Sequence, residues 1–201
     1  KATVNGNGTI DVIYKATGKE YTGLNYLSSQ GEVGNAWAHV SPEFDKKYMS
    51  IGANAKVYVT ESGELTGSIT AEFDFEVPES CEINPSEIYI KIPVKITYTL
   101  DADADYIKVV TEVDNRAKDH WLRANFPTEI KTSFSVCDSH FDIVKHDIEI
   151  PDSTGWVEQA FGMQPLRTFA ALTDGNDGFS VMPKGLFEYE VFDDSTMALT
   201  L

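Results

Sequence analysis

Three short stretches of this 201-residue chain bring reactive side chains within two positions of each other. His140, Phe141 and Asp142 have the His-x-Asp spacing that zinc enzymes use. Yet if Phe141-Asp142-Ile143-Val144 is read as a strand, Phe141 and Ile143 make one face and Asp142 the other. His140 and Asp142 then share the other face, without two further ligands or a supporting shell of hydrogen bonds. Glu188 and Glu190 fall on one strand face roughly 7 Å apart by strand rise, within the range of paired glycosidase carboxylates. Their side chains project in parallel, however, whereas such a pair must flank the scissile bond from opposite sides. Asp119-His120 has the makings of an acid/base pair; the competing reading is a polar network that fixes the turn into the next strand. There is no Gly-x-Ser-x-Gly elbow, no activating neighbourhood for Cys81 or Cys137, and no glycine-rich loop opening a helix. The residues do not assemble a self-contained catalytic site.

The elements that must position these residues read as strand after strand. From Leu65 to Val77 the odd positions are apolar or small and the even ones polar; from Ile88 to Leu100 the even positions are apolar. Such strict period two predicts antiparallel strands with one buried and one wet face, and puts Phe73, Phe75, Ile90 and Ile96 in the core. Pro93 cannot donate to a ladder, so its strand is expected at an edge or with a bulge. Shorter strands are expected near 105–113, 119–126, 141–150, 167–173, 179–182, 186–193 and 196–201. Turns are expected at Asn5 to Gly8, Glu61 to Glu64 and Asp174 to Gly178. Asp101 to Asp105 reads as a solvated turn, lacking the glycine and closing glutamate of a calcium loop. No linker or repeat divides the chain. The expectation is one all-β domain over residues 1–201, two large antiparallel sheets packed face to face.

Thirty-two acidic residues against 16 basic ones leave a net charge of −16, which argues against nucleic-acid partners and against docking on anionic membranes. No apolar run is long enough to span a bilayer as a helix. Cys81 and Cys137 are compatible with a disulfide or with two buried thiols; nothing brings them together in sequence, which favours free thiols. The chain opens on Lys1 and closes on Leu201 inside a strand-like run, which reads as a domain excised from a longer protein.

Three segments in order carry a resemblance. Asp114 to Thr128 (DNRAKDHWLRANFPT) resembles the D-N-x-x-x-D-H-R-L-R-x-x-F-P-T segment of glycoside hydrolase family 38, the retaining α-mannosidases. Gly31 to Pro42 (GEVGNAWAHVSP) resembles that family's G-D-A-Y-x-x-x-P loop, and Asp177 to Val191 its G-x-A-V-L-N-D-G-L-x-E-Y-E-V strand pair. The resemblance implies the C-terminal β-domain of such an enzyme, a galactose-mutarotase-like supersandwich. It implies a covalent glycosyl-enzyme mechanism whose carboxylates and zinc ligands lie in a separate N-terminal catalytic domain, with no metal in this one. The implied partners are that catalytic domain and an α-mannoside. Trp37 falls where the family has an aromatic at the edge of the mannose pocket. Stacking on a sugar is one reading, and burial beneath its own loop the other. Two departures stand out. Trp121 replaces the family's usual Arg, so it should pack on a neighbour. Gly175 stands about where the eukaryotic Golgi and lysosomal branch has an Arg, which points to bacterial and cytosolic-type members. The rival from another class is a free-standing carbohydrate-binding module or lectin.

Overall fold

Alternation is strictest in the two long runs, and these form the longest strands of the computed structural model, which describes residues 1–35, 39–157 and 159–201. Among the described residues the elements are β1 (Ala2–Val4), β2 (Ile10–Tyr14), β3 (Lys19–Leu24), β4 (Tyr26–Gly31), β5 (Tyr48–Met49), a 3-10 turn (Ser50–Gly52), β6 (Lys56–Ser62), β7 (Thr66–Pro78) and β8 (Tyr89–Asp101). There follow β9 (Lys108–Val113), β10 (His120–Pro127), β11 (Phe134–Asp138), β12 (Ile143–Asp147), β13 (Gln164–Pro165), β14 (Ala170–Thr173), β15 (Gly178–Val181), β16 (Glu188–Val191) and β17 (Thr196–Thr200). The protein is all-β, as its alternation requires, and its ladders are antiparallel. The chain forms two compact units: Lys1–Val12 with Asn25–Leu122, and Ile13–Leu24 with Arg123–Leu201.

In the first unit β6, β7, β8 and β9 lie side by side in that order, and β7 and β8 pair without interruption from Thr66↔Asp101 to Pro78↔Tyr89. Ala71, Phe73, Phe75 and Val77 face the core with Ile92, Val94, Ile96 and Tyr98. Ile90 departs from expectation: it is only half-buried. It is the second residue of β8, at the end of the β7–β8 ribbon, paired with Val77. At the opposite end of the sheet the polar face is covered too, with Ser68 and Thr70 buried. Their hydroxyls are satisfied across the strands, Ser68 Oγ to Thr99 Oγ1 at 2.8 Å and Thr70 Oγ1 to Thr97 Oγ1 at 3.0 Å.

Pro93 marks neither an edge strand nor a bulge. β8 is interior and its register with β7 unbroken. The Pro93 carbonyl accepts the Asp114 N–H at 3.1 Å, so the missing N–H points to the β9 side, one residue beyond the last rung of that ladder. A proline costs little there, because the pairing is ending anyway. Tyr98 closes the unit's core by donating to the Gly8 carbonyl at 2.8 Å and accepting from Asn25 Nδ2 at 3.0 Å. Gly8 is required there: its φ is +87°, and a Cβ would meet the Phe73 ring at 2.8 Å.

In the second unit β13, β16, β17 and the Arg123–Pro127 part of β10 form one run of strands, and β12, β11, β14 and β15 another. Tyr189, Met197, Ala198, Ile130, Leu166 and Leu172 are buried. The Tyr189 hydroxyl is paired with Ser135 Oγ at 2.9 Å. The strand expected from Phe141 starts two residues later, and Phe141 and Asp142 belong to the hairpin tip. Phe141 has φ +71° and is fully exposed, Ser139 N–H bonds the Asp142 carbonyl at 2.9 Å, and β12 begins only at Ile143. Four consecutive positions are too few for alternation to distinguish a strand from a turn.

Candidate functional site

The most built-up polar constellation in the first unit surrounds the Gly31–Pro42 loop. Its two ends meet over Cys81: a Cβ at Gly31 would come within 2.8 Å of both Cys81 Sγ and Pro42 Cγ, so only glycine fits. Asp45 holds the entry, accepting the Gly31 N–H at 3.1 Å and Gln30 Nε2 at 3.0 Å. One residue on, the Glu32 N–H bonds the Asp119 carbonyl at 3.0 Å. The two ends of the loop therefore lie close together.

Inside the loop the Glu32 side chain gathers three donors. Its Oε1 accepts the Gly34 N–H at 2.7 Å and the Val40 N–H at 3.1 Å, and its Oε2 contacts His39 Nδ1. A carboxylate only accepts, so His39 Nδ1 carries a proton. The His39 ring lies against Trp121 with centroids 4.2 Å apart, so Trp121 packs on a neighbour as its aromatic character demanded. Trp37 itself lies outside the described residues.

His39 Nε2 is 3.3 Å from Ser41 Oγ, which puts Ser41, His39 and Glu32 in the series of a nucleophile, base and orienting carboxylate. The Gly34 and Val40 N–H groups of this loop are committed to Glu32 and cannot serve as an oxyanion hole. What the arrangement does is hold a loop.

Asp119 and His120 resolve into a network. Asn115 Oδ1 accepts the Ala117 N–H at 3.2 Å, which fixes it as the acceptor for His120 Nε2–H at 3.0 Å. His120 Nδ1 then accepts the Ser29 hydroxyl at 2.8 Å, and the imidazole is neutral. Burial lowers its pKa, partly opposed by the Asp119 charge. Asp119 has φ +53° and turns the chain into β10. Both ring nitrogens are occupied in holding the turn.

The remaining candidates are dispersed. His140 and Asp142 sit on the exposed β11–β12 hairpin tip, not on a shared strand face. Among the described residues no group of three His, Cys, Asp or Glu side chains could hold a metal. Glu190 pairs with Arg123 at 2.5 Å, and Arg123 is buried against Phe192. Glu188 accepts from Thr200 Oγ1 at 2.6 Å. Each carboxylate thus serves its own structural partner. Gly175 has φ +93° in the turn between β14 and β15 with nothing within 4 Å of an added Cβ; an arginine would fit that space but strain the backbone. Cys81 and Cys137 are free and buried. The Glu32–His39 pairing was not read from the sequence. Two residues seven apart in an aperiodic loop leave no pattern, and the only available hint was the glycine and proline bracketing the segment.

These features define an all-β domain whose most organised polar site is a clamped loop. The chain matches the model of the glycosyl hydrolases family 38 C-terminal domain over residues 1–201, and it belongs to that family. It is similar, at 29% identity over 218 residues, to a provisionally assigned mannosylglycerate hydrolase of Halalkalibacterium halodurans, covering all of this chain and 24% of that protein. Two solved structures share its fold. One is an alpha-mannosidase from Enterococcus faecalis, with a TM-score of 0.94 and 23% identity over all of this chain and 24% of that one. The other is a protein in glycosyl hydrolase family 38 from Enterococcus faecalis, with a TM-score of 0.90 and 22% identity over all of this chain and 25% of that one. The chain therefore spans about a quarter of the length of these relatives.

Proposed function

We propose that this chain is the C-terminal β-domain of a retaining, zinc-dependent α-mannosidase-type hydrolase. Residues 1–201 then work as one domain of the supersandwich type, bracing an N-terminal catalytic domain and closing one side of its mannose pocket. The observation that carries the reading is the family match over the full chain, in relatives about four times as long. The described residues do not fit a zinc site, and the metal in this reading belongs to the catalytic domain. The nucleophile and the acid/base belong to that domain as well. The names of the relatives support an α-mannoside as the substrate class, with mannosylglycerate among the compounds to assay.

This domain's own contribution is Trp37. An indole at the pocket's edge stacks on the apolar face of a sugar and donates one hydrogen bond. In the intact parent enzyme, Trp37→Ala lowers kcat/KM on an aryl α-mannoside roughly ten- to hundredfold, about 1.4–2.7 kcal/mol, with fold and zinc content unchanged. Unchanged kinetics would reduce Trp37 to a packing residue.

A further inference from the structure

We propose that the polar face of the β6–β9 sheet carries a binding cleft for a neutral oligosaccharide; this goes beyond the function proposed above and does not depend on it. Residues from all four strands line a cleft of about 860 Å³, within the size range of small-molecule sites. One cross-strand row runs through it: Lys56 is paired with Glu72, Glu72 with Lys95, and Lys95 with Glu112. At the usual spacing of neighbouring strands the row is roughly 14 Å long, more than one sugar ring. Donors and acceptors alternate along it, and they are held in place. The Tyr58 hydroxyl donates to Glu72 Oε1 at 2.8 Å, the Lys56 ammonium lies 5.3 Å from the Tyr58 ring centre, and Lys95 Nζ is 2.7 Å from Glu112 Oε1. On the same face, two residues from Lys95, the exposed Pro93 ring adds an apolar surface to the cleft. Exposed ion pairs add little stability, so the row is weakly explained as a brace of the sheet. Its chemistry selects the ligand. Each sugar hydroxyl both donates and accepts, so a carboxylate can meet it on one side and an ammonium on the other. A charged ligand lying along the row would meet repelling groups as often as attracting ones. An apolar ligand would strip water from charges it cannot solvate.

The test is native affinity electrophoresis of the intact parent protein through gels holding neutral α-mannan, dextran or galactomannan, with anionic polygalacturonate for comparison. Wild type, Glu72→Ala, Lys95→Ala and Lys95→Arg are run side by side, and thermal unfolding and turnover of a small aryl α-mannoside are followed for each. The cleft predicts that at least one neutral polysaccharide retards wild type while polygalacturonate does not. Glu72→Ala and Lys95→Ala each weaken that binding by about tenfold or more, the loss of one hydrogen bond to a charged group. Lys95→Arg, which keeps a cationic donor, retains most of it. Unfolding midpoints and aryl α-mannoside turnover stay close to wild type in all three variants. No retardation of wild type by any neutral polysaccharide would overturn the proposal, as would retardation by polygalacturonate alone. Equal retardation of wild type and both alanine variants would overturn it too, because the binding would then lie elsewhere on the protein. A parent without mannosidase activity would sink the function proposed above, while the gels and unfolding midpoints still decide the cleft.

Discussion

Asp138 carries more backbone than any other carboxylate described here. It accepts the N–H groups of Arg167, Thr168 and Phe169 at 3.1, 2.8 and 3.1 Å, and the Thr168 hydroxyl at 2.7 Å. Its desolvation pulls the carboxyl pKa up, but the Thr168, Phe169 and Arg167 donors outweigh that and hold it well below the usual carboxylate range. A depressed native pKa means that the unfolded chain binds the proton first. The stabilisation is complete above the unfolded value, about 3.9, and is lost as pH falls from there toward the native value. Asp138→Asn should therefore melt below wild type by a constant margin above about pH 5, with the margin narrowing as pH drops toward 2. Thermal unfolding across that range is the measurement, and a margin unchanged at low pH would refute the assignment. At this scale spacing is a poor guide. His140 and Asp142 had a metal-like interval and Glu188 and Glu190 a glycosidase-like one, yet the first pair caps a hairpin and the second is divided between Thr200 and Arg123. What decides a side chain's role is the set of donors and acceptors brought to it from elsewhere in the chain, and interval alone does not encode that.

The β7–β8 ribbon is where element-scale reading worked best. Thirteen paired rungs follow from a period of two held over both runs, and Phe73, Phe75 and Ile96 are buried as the alternation required. The reading frays where the neighbours change. Ile90 is only half-buried at the start of β8, Leu65 and Ile88 lie outside the strands and are exposed, and Ser68 and Thr70 are buried on the nominally wet face. Periodicity reports which face a residue is on, while coverage of that face depends on other strands. Phe73 lies in the well-covered middle, opposite Val94 and against Gly8. Replacing it with alanine should cost about 3–5 kcal/mol, read from denaturant unfolding of the domain. A loss below about 1 kcal/mol would mean that this core collapses around the deletion or was never closely packed.

For the whole molecule, composition excluded more than it identified. A net charge of −16 spoke against nucleic acid and anionic membranes, and the all-β class was legible from alternation. The family was legible from three segments in order, and the match over residues 1–201 bears it out. The clamp of Glu32 on its own loop was not legible, because it is written in backbone N–H groups that every sequence possesses. The central claim is that the chemistry belongs to the longer protein and that this domain shapes its pocket without carrying it out. Side-by-side turnover of an aryl α-mannoside by the whole parent protein and by residues 1–201 alone tests that most directly, each with and without added zinc. The account predicts chelator-sensitive hydrolysis by the parent, and none by the folded 201-residue chain under either condition. Hydrolysis by the isolated chain, abolished by a chelator, would contradict it.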